Sequence, residues 1–160
     1  MFANIFVKEP NPNQGGRLLS KRGDTAGWEF VAPRHTGVVS FLGQTTANGC
    51  KHANIGKTRV DDGRWHSVAV VYDGQDVVYA YVDGKLDVQE SFRGHIAPNS
   101  AELYAGTWKN FDGHAFEGEF RDLVVYERML SEAELSCGGQ LARLLLLVWL
   151  LGPGSAEEAR

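Results

Sequence analysis

The chain of 160 residues contains few cysteines, few prolines and no excess of basic charge. Its two cysteines, Cys50 and Cys137, are too few for a disulfide-stapled scaffold, and neither lies in a cluster with the ligand spacing of structural zinc. The 16 Lys and Arg residues are scattered and outnumbered by 20 Asp and Glu residues. The composition therefore argues against a structural zinc site, and it lacks the concentrated positive charge that nucleic-acid binding requires.

Long apolar runs are also missing. No stretch reaches the roughly 18 to 20 apolar residues that a membrane-spanning helix requires, so no membrane span is expected. Residues Met1–Pro10 lack a basic flank before a long apolar stretch, and they lack a small-residue cleavage site. A signal peptide is therefore not expected there.

Short strands are the main feature that the sequence does contain. The 19 glycines accompany many Val, Tyr, Phe and Thr residues, a balance that favours strands and tight turns. The segments 65–72 and 77–82 predict two strands, and Asp83-Gly84 predicts a two-residue type I′ turn into a third strand, Lys85–Phe92. Further strands are predicted at Asn4–Lys8, Arg17–Lys21, Gly27–Ala32, Val38–Leu42, Thr58–Val60, Glu102–Thr107 and Glu119–Tyr126. About ten strands predict an all-β sandwich or barrel.

The strand 77–82 is apolar on both faces, which predicts a position inside a sheet. Its outer face is then either covered or available as an apolar contact surface. One short helix is predicted near residues 131–136, because Ser131 and Glu134 have the spacing of a capping box. Gly138-Gly139 then ends this helix.

The C-terminal part of the chain differs in composition. Residues Leu141–Leu151 are leucine-rich but too short to cross a bilayer as a helix. Three interpretations of this segment remain open: a buried final strand or helix, a surface for association, and a departure of the sequence from the natural C-terminus. The sequence is therefore divided into a domain at 1–139 and a leucine-rich segment of uncertain role at 140–160.

Several motifs recur together in one known family. They are Trp65-His66 at a strand start, Val82-Asp83-Gly84-Lys85 in a hairpin, and a late segment in which Tyr126, Arg128, Leu130-Ser131 and Glu134 follow one another. In their order and spacing, residues from Arg17 to about Leu135 resemble the laminin-G-like, concanavalin A-like superfamily.

The resemblance implies a jelly roll of two antiparallel sheets with about six strands each. It also implies an extracellular or cell-surface accessory domain that binds a ligand. Two features depart from the family pattern: the chain starts almost inside the strand matched by Asn4–Lys8, and the leucine-rich segment is unlike a final strand.

Catalytic motifs are not found. A retaining glucan hydrolase of this fold needs an E-x-D-x-x-E pattern, and the nearest acids, Glu117, Glu119 and Asp122, do not match it because strand alternation separates Asp122 from the other two. No G-x-S-x-G elbow is present. Cys50 and His52 lie in a predicted turn, without a third group to orient them. No catalytic residue is predicted.

The loop 107–115 supplies the best candidate carbohydrate site. Trp108 is a candidate platform for a pyranose, and Asn110, Asp112 and His114 are candidate hydrogen-bond partners for its hydroxyls. The alternative is that Trp108 packs under the loop and Asp112 only forms a turn. Trp28 with His35 is a weaker second candidate, in which Trp28 is expected to lie in the core.

Metal and disulfide predictions are limited. The five histidines are widely separated, and His66 is expected to be a structural hydrogen-bonding residue. Related jelly rolls often bind calcium, for which Asn110 and Asp112 are weak candidate ligands. No other cofactor is expected. The sequence cannot place Cys50 and Cys137 within bridging distance.

The sequence thus predicts a non-catalytic recognition module that binds carbohydrate or glycosylated surfaces. The main alternative is a protein-interaction or assembly module that uses a sheet face and self-association through Leu141–Leu151. A glycoside hydrolase with an unrecognised site is the remaining alternative.

Overall fold

The described residues form a two-layered β-sandwich. The computed structural model describes residues 1–11, 13, 15–23, 26–33, 35–45, 49–53, 56–108 and 115–136, with the backbone alone at 45 and 49–53. In spatial order, the first sheet contains β10 (Glu119–Val124), β1 (Phe2–Phe6), β6 (Trp65–Tyr72), β7 (Val77–Val82) and β8 (Lys85–Ser91). The second contains β5 (Gly49–Ala53), β4 (Ser40–Thr45), β3 (Gly27–Val31), β2 (Arg17–Arg22) and β9 (Tyr104–Ala105). A short helix, α1, spans Glu132–Ser136. All strand pairs within the sheets are antiparallel, and the predicted all-β sandwich is confirmed.

The core lies between the two sheets. Alternation along each strand directs one set of side chains inward, where they are almost completely buried. Burial of each Val, Leu, Ile or Phe side chain among them contributes about 1.5–3 kcal/mol to stability. The first sheet supplies Ala3, Ile5, Val68, Val70, Val78 and Ala80, and the second supplies Leu18, Leu19, Phe30 and Phe41.

The outer face of the first sheet is also covered over part of its area. Phe2, Ala69 and Tyr81 form a second buried cluster with Leu130 and Leu135. Leu135 belongs to α1, so the helix and the segment before it lie on this face. Strand β7 lies between β6 and β8, as predicted, and its outer face is covered rather than free at Tyr81, which is 8% exposed.

The hairpin between β7 and β8 has the predicted two-residue turn. Val82 pairs with Lys85, and both turn residues have positive φ, 51° at Asp83 and 74° at Gly84. Aspartate and glycine are among the residues that adopt this backbone conformation most readily. The Oδ1 atom of Asp83 accepts the amide of Ser67 at 3.0 Å, which ties the turn to β6.

Helix α1 begins with the predicted capping box. The Ser131 amide donates to Oε2 of Glu134 at 2.9 Å, and the Glu134 amide donates to Oγ of Ser131 at 3.4 Å. Arg128 adds an ion pair to Glu134 at 2.6 Å. This arginine, together with the hydrogen bonds from Ser131, lowers the pKa of Glu134 to about 2. The last described residue of the helix, Ser136, lies against the turn of the hairpin, where its Oγ donates to the Gly84 carbonyl at 3.3 Å.

Some predicted strands differ from the structure. Residues 58–60 are not a strand: the amide and hydroxyl of Thr58 donate to the carboxylate of Asp87. Strand β4 begins at Ser40, whereas residues 38–39 lie in a loop, in which the Val39 carbonyl accepts the amide of Gly56 at 2.8 Å. The turn predicted around Cys50 and His52 is wrong, because both lie in edge strand β5.

Several predictions lie outside the described residues. They include Cys137, the end of the helix at Gly138-Gly139, and the whole leucine-rich segment, so the division at residue 139 stays a prediction. In the described parts of the chain, no helix has the length and apolarity needed to cross a membrane.

Candidate functional site

Trp108 lies just beyond β9 and is half-buried. Two guanidinium groups contact its ring: the Cζ atom of Arg17 lies 5.3 Å from the ring centroid, and that of Arg22 lies 6.0 Å from it. Such cation–π contacts are worth roughly 0.5–2 kcal/mol each, with the higher value in desolvated settings. The indole is therefore held by contacts at the two ends of β2.

A buried carboxylate anchors the two arginines. Glu29 is 0% exposed, and its Oε1 accepts the Nε–H of Arg17 at 2.9 Å and the hydroxyl of Ser20 at 3.2 Å. Its Oε2 lies 3.7 Å from Nη1 of Arg22. Because Glu29 alternates with the core residue Phe30, this cluster lies on the side of the second sheet that faces away from the core.

A β-bulge explains how both arginines reach one carboxylate. Residues 17 and 22 are five positions apart, and in a regular strand such residues point to opposite faces. The pairing of β2 with β3 shifts register between Arg17 and Leu19. The extra residue of the bulge places Arg17 and Arg22 on the same side of the sheet, where both contact Glu29.

The predicted site residues are only partly described. Trp108 is described, whereas Asn110, Asp112 and His114 lie outside the described residues, so their arrangement stays a prediction. In the weaker second candidate, Trp28 packs partly buried against the core, and His35 is exposed in the loop after β3.

Sequence reasoning missed the cluster of Arg17, Arg22 and Glu29. The available signal was a single acid between apolar residues in the strand Gly27–Val31, since a charge at such a position requires a partner. The partners themselves were not predictable, because their positions depend on the bulge in β2.

His66 has the predicted structural role. Its Nδ1 lies 2.9 Å from Oδ2 of Asp83, and its Nε2 lies 3.0 Å from Oδ1 of Asp62. Burial lowers the pKa of His66, but the hydrogen bonds to both aspartates outweigh burial, so the pKa lies above its ordinary value of 6.5. Hydrogen bonds from Arg64 and His66 hold the pKa of Asp62 well below its usual range.

The acids nearest to a hydrolase motif are each engaged in a local contact. Oε2 of Glu117 accepts the amide side chain of Asn11 at 2.7 Å, and Oδ2 of Asp122 accepts that of Asn4 at 3.0 Å. Regular alternation from Glu117 to Asp122 does not hold, because β10 begins at Glu119 and Asp122 has a φ of 55°. Among the described residues, no group of three His, Cys, Asp or Glu side chains is placed to hold a metal ion.

Solved structures share the fold at low sequence identity. The binding domain of Paraclostridial Mosquitocidal Protein 1 is 14% identical with a TM-score of 0.58, over 85% of this chain and 36% of that one. The receptor binding domain of botulinum neurotoxin D is 13% identical with a TM-score of 0.59, over 89% of this chain and 37% of that one. A heptameric SAP-like pentraxin from Limulus polyphemus is 18% identical with a TM-score of 0.58, over 84% of this chain and 66% of that one.

The chain thus spans about a third of the two toxin domains and about two thirds of the pentraxin. No curated protein matches it. The family comparison gives a match over most of the sandwich, at residues 4–136, and the chain belongs to the concanavalin A-like lectin/glucanases superfamily.

Proposed function

We propose that this chain is a non-catalytic recognition module that binds carbohydrate or glycosylated surfaces, with Trp108 as its stacking platform. The observation that carries the proposal is the half-buried indole beside Arg17 and Arg22, which are both anchored on the buried Glu29. An indole that is already held in place loses little conformational entropy when a ligand stacks on it.

The chemistry of this cluster suits a sugar. The apolar face of a pyranose stacks on an aromatic ring, and its hydroxyls need donors and acceptors at the ring edge. Guanidinium N–H groups are donors, and Asn110, Asp112 and His114 are proposed as the remaining polar partners. In the described part of the cluster, two positive charges face one carboxylate, so acidic sugars belong in any panel of test ligands.

The related structures support recognition as the function class. Two of them are named as binding domains, and one of these, from botulinum neurotoxin D, is named as a receptor binding domain. By this analogy of fold, we propose that the chain acts outside the cell or at its surface, beside other domains. We propose no catalytic residue.

A comparison of two tryptophan variants tests the site. Trp108→Ala is expected to weaken binding of a glycan that the wild-type chain binds by about tenfold or more, which corresponds to about 1.4 kcal/mol of lost stacking. Trp65→Ala is the matched control, because Trp65 is 40% exposed and also lies under a guanidinium, with Arg121 at 4.1 Å.

Isothermal titration calorimetry against neutral and acidic glycans gives the affinities, and thermal unfolding verifies that both variants are folded. Equal affinities of Trp108→Ala and the wild-type chain for every glycan bound would refute the assignment of Trp108.

Calcium is a separate part of the proposal. Asn110 and Asp112 are the proposed ligands, and both lie outside the described residues. If the ion completes the site, glycan affinity in calcium exceeds that in EDTA, and Asp112→Ala removes the difference. Identical titrations in the two buffers would exclude a role for calcium.

The alternative function, a protein-interaction or assembly module, needs a free sheet face, and part of that face is covered. Tyr81, on the predicted contact face of the sheet, is covered by the cluster containing Leu130 and Leu135. What remains is self-association through Leu141–Leu151. Sedimentation of the full chain and of a chain ending at Gly139 tests it: if both are monomers, self-association through this segment is excluded.

A further inference from the structure

A groove that Trp108 does not line opens at one end of the sandwich. The turn after β6, the segment 94–99 and the start of β3 meet there. The groove consists of two adjoining cavities of about 390 and 430 Å³, which share Trp28, Tyr72, Gly74 and Ile96. Each cavity is within the range of small-ligand sites, which is roughly 300–1,000 Å³.

Aromatic rings form the wall that is common to both cavities. Trp28 packs against the core and is only partly buried. The ring of Tyr72 stacks on Phe41 at a centroid distance of 6.4 Å and meets Phe92 edge-on at 5.7 Å. The Tyr72 hydroxyl donates to the Gly94 carbonyl at 2.7 Å, so this ring is fixed at both ends. The groove therefore has a rigid aromatic wall before any ligand arrives.

One polar group at the groove has an orientation that the structure defines. Nδ1 of His95 lies 2.6 Å from the Gly74 carbonyl oxygen. A carbonyl only accepts, so Nδ1 must carry the proton. In the neutral ring, Nε2 is then a hydrogen-bond acceptor, on an exposed side chain that lines the smaller cavity.

The charges around the groove are balanced. Lys21 lines the smaller cavity, and its ammonium donates to the Ala101 carbonyl at 2.7 Å. Asp73, Glu127 and Arg128 line the larger cavity. Two cationic and two anionic side chains give no net charge, so the groove does not favour a strongly charged ligand.

We propose that this groove binds a neutral oligosaccharide, with one pyranose in each cavity against Trp28 and Tyr72. A sugar matches the two features found together: aromatic faces for its C–H surface and an oriented acceptor, Nε2 of His95, for a hydroxyl. A purely apolar ligand that covered Nε2 would displace water from this acceptor without supplying a donor. The inference shares its ligand class with the proposed function but concerns a different site from Trp108.

Nuclear magnetic resonance of the ¹⁵N-labelled full chain tests this site. The indole N–H signals of Trp28 and Trp108 are assigned with Trp28→Phe and Trp108→Phe. The probes are three neutral tetrasaccharides, namely cellotetraose, maltotetraose and tetra-N-acetylchitotetraose, with sialyllactose as an acidic comparison. We expect at least one neutral tetrasaccharide to shift the Trp28 indole signal saturably, and the same shift to persist in Trp108→Ala.

His95→Ala removes the acceptor and is expected to weaken this titration by about tenfold. Gln89→Ala replaces an exposed polar side chain on β8 that lines neither cavity, and it is expected to leave the titration unchanged. Amide spectra of both variants verify the fold.

Two results would overturn the inference, and a third would remove the role of His95. If sugars shift only the Trp108 indole, the proposed function stands and the groove is not its site. If no probe shifts either indole, both proposals fail for these sugars. If His95→Ala binds as tightly as the wild-type chain, the assigned role of Nε2 is wrong.

Discussion

At the scale of single residues, His66 links the segment before β6 to the hairpin between β7 and β8. Both ring nitrogens contact carboxylates, those of Asp62 and Asp83. The pKa of His66 is raised in the folded chain, so folding favours the protonated ring. The stability gained from this ion pairing is fully present below about pH 6.5 and is lost as the pH rises through the folded-state pKa.

The prediction is that the free energy of unfolding of the wild-type chain exceeds that of His66→Gln below about pH 6.5, and that this difference shrinks as the pH rises through the folded-state pKa of His66. The comparison with the variant cancels the opposite contribution of the Met1 amino group, whose pKa burial lowers to about 5. Urea denaturation at several pH values measures it. His35→Gln is the control, because His35 is exposed. Parallel pH dependences of the wild-type chain and His66→Gln would contradict the account.

Glu29 is the buried charge on which the Trp108 cluster depends. Glu29→Gln keeps the shape of the side chain but leaves Arg17 and Arg22 without its negative charge. Removal of one partner from a buried ion pair costs roughly 3–5 kcal/mol. We expect a loss near the lower figure, since the side chain of Arg22 is 22% exposed.

Urea denaturation measures this loss as well, and Glu119→Gln is a control at an exposed strand position. A loss below about 1 kcal/mol would show that the buried pair contributes little net stability.

At the scale of elements, the packing of α1 on the β7–β8 hairpin depends on the absence of a side chain at Gly84. A Cβ atom there would lie 2.5 Å from Cα of Ser136, and φ at this position is 74°. Gly74 is a matched comparison, because its φ is 84° and a Cβ there would meet nothing within 4 Å.

Both Gly→Ala changes strain the backbone by about 1–3 kcal/mol. Gly84→Ala is expected to cost more, since it also displaces α1 from the hairpin. Thermal unfolding of the two variants compares them. Equal losses would show that contact between Gly84 and the helix is unimportant.

The elements also differ in how far the sequence determines them. Asp83-Gly84 and the capping box at Ser131 were predictable, because each depends on residues that are neighbours in the chain. Strand β5 was not predictable, because it is a short edge strand that owes its extended conformation to pairing with β4. Arg17 near Trp108 is a similar case, since a bulge in the pairing of β2 with β3 determines which way its side chain points.

At the scale of the whole molecule, the sandwich offers different surfaces. Part of the outer face of the first sheet is covered by α1 and the segment before it. The second sheet carries the Trp108 cluster on its outer side, and the groove with Trp28 opens at one end. Both candidate sites combine an aromatic ring with polar groups of fixed orientation, which is the combination that carbohydrate recognition requires.

The most direct measurement of the central claim is calorimetric titration of the full chain with neutral and acidic glycans, in calcium and in EDTA. We predict saturable binding to at least one glycan, with a Kd on the order of micromolar to millimolar, because shallow sites bury little area. Heats of dilution alone for every glycan in both buffers would contradict the claim that this chain recognises carbohydrate.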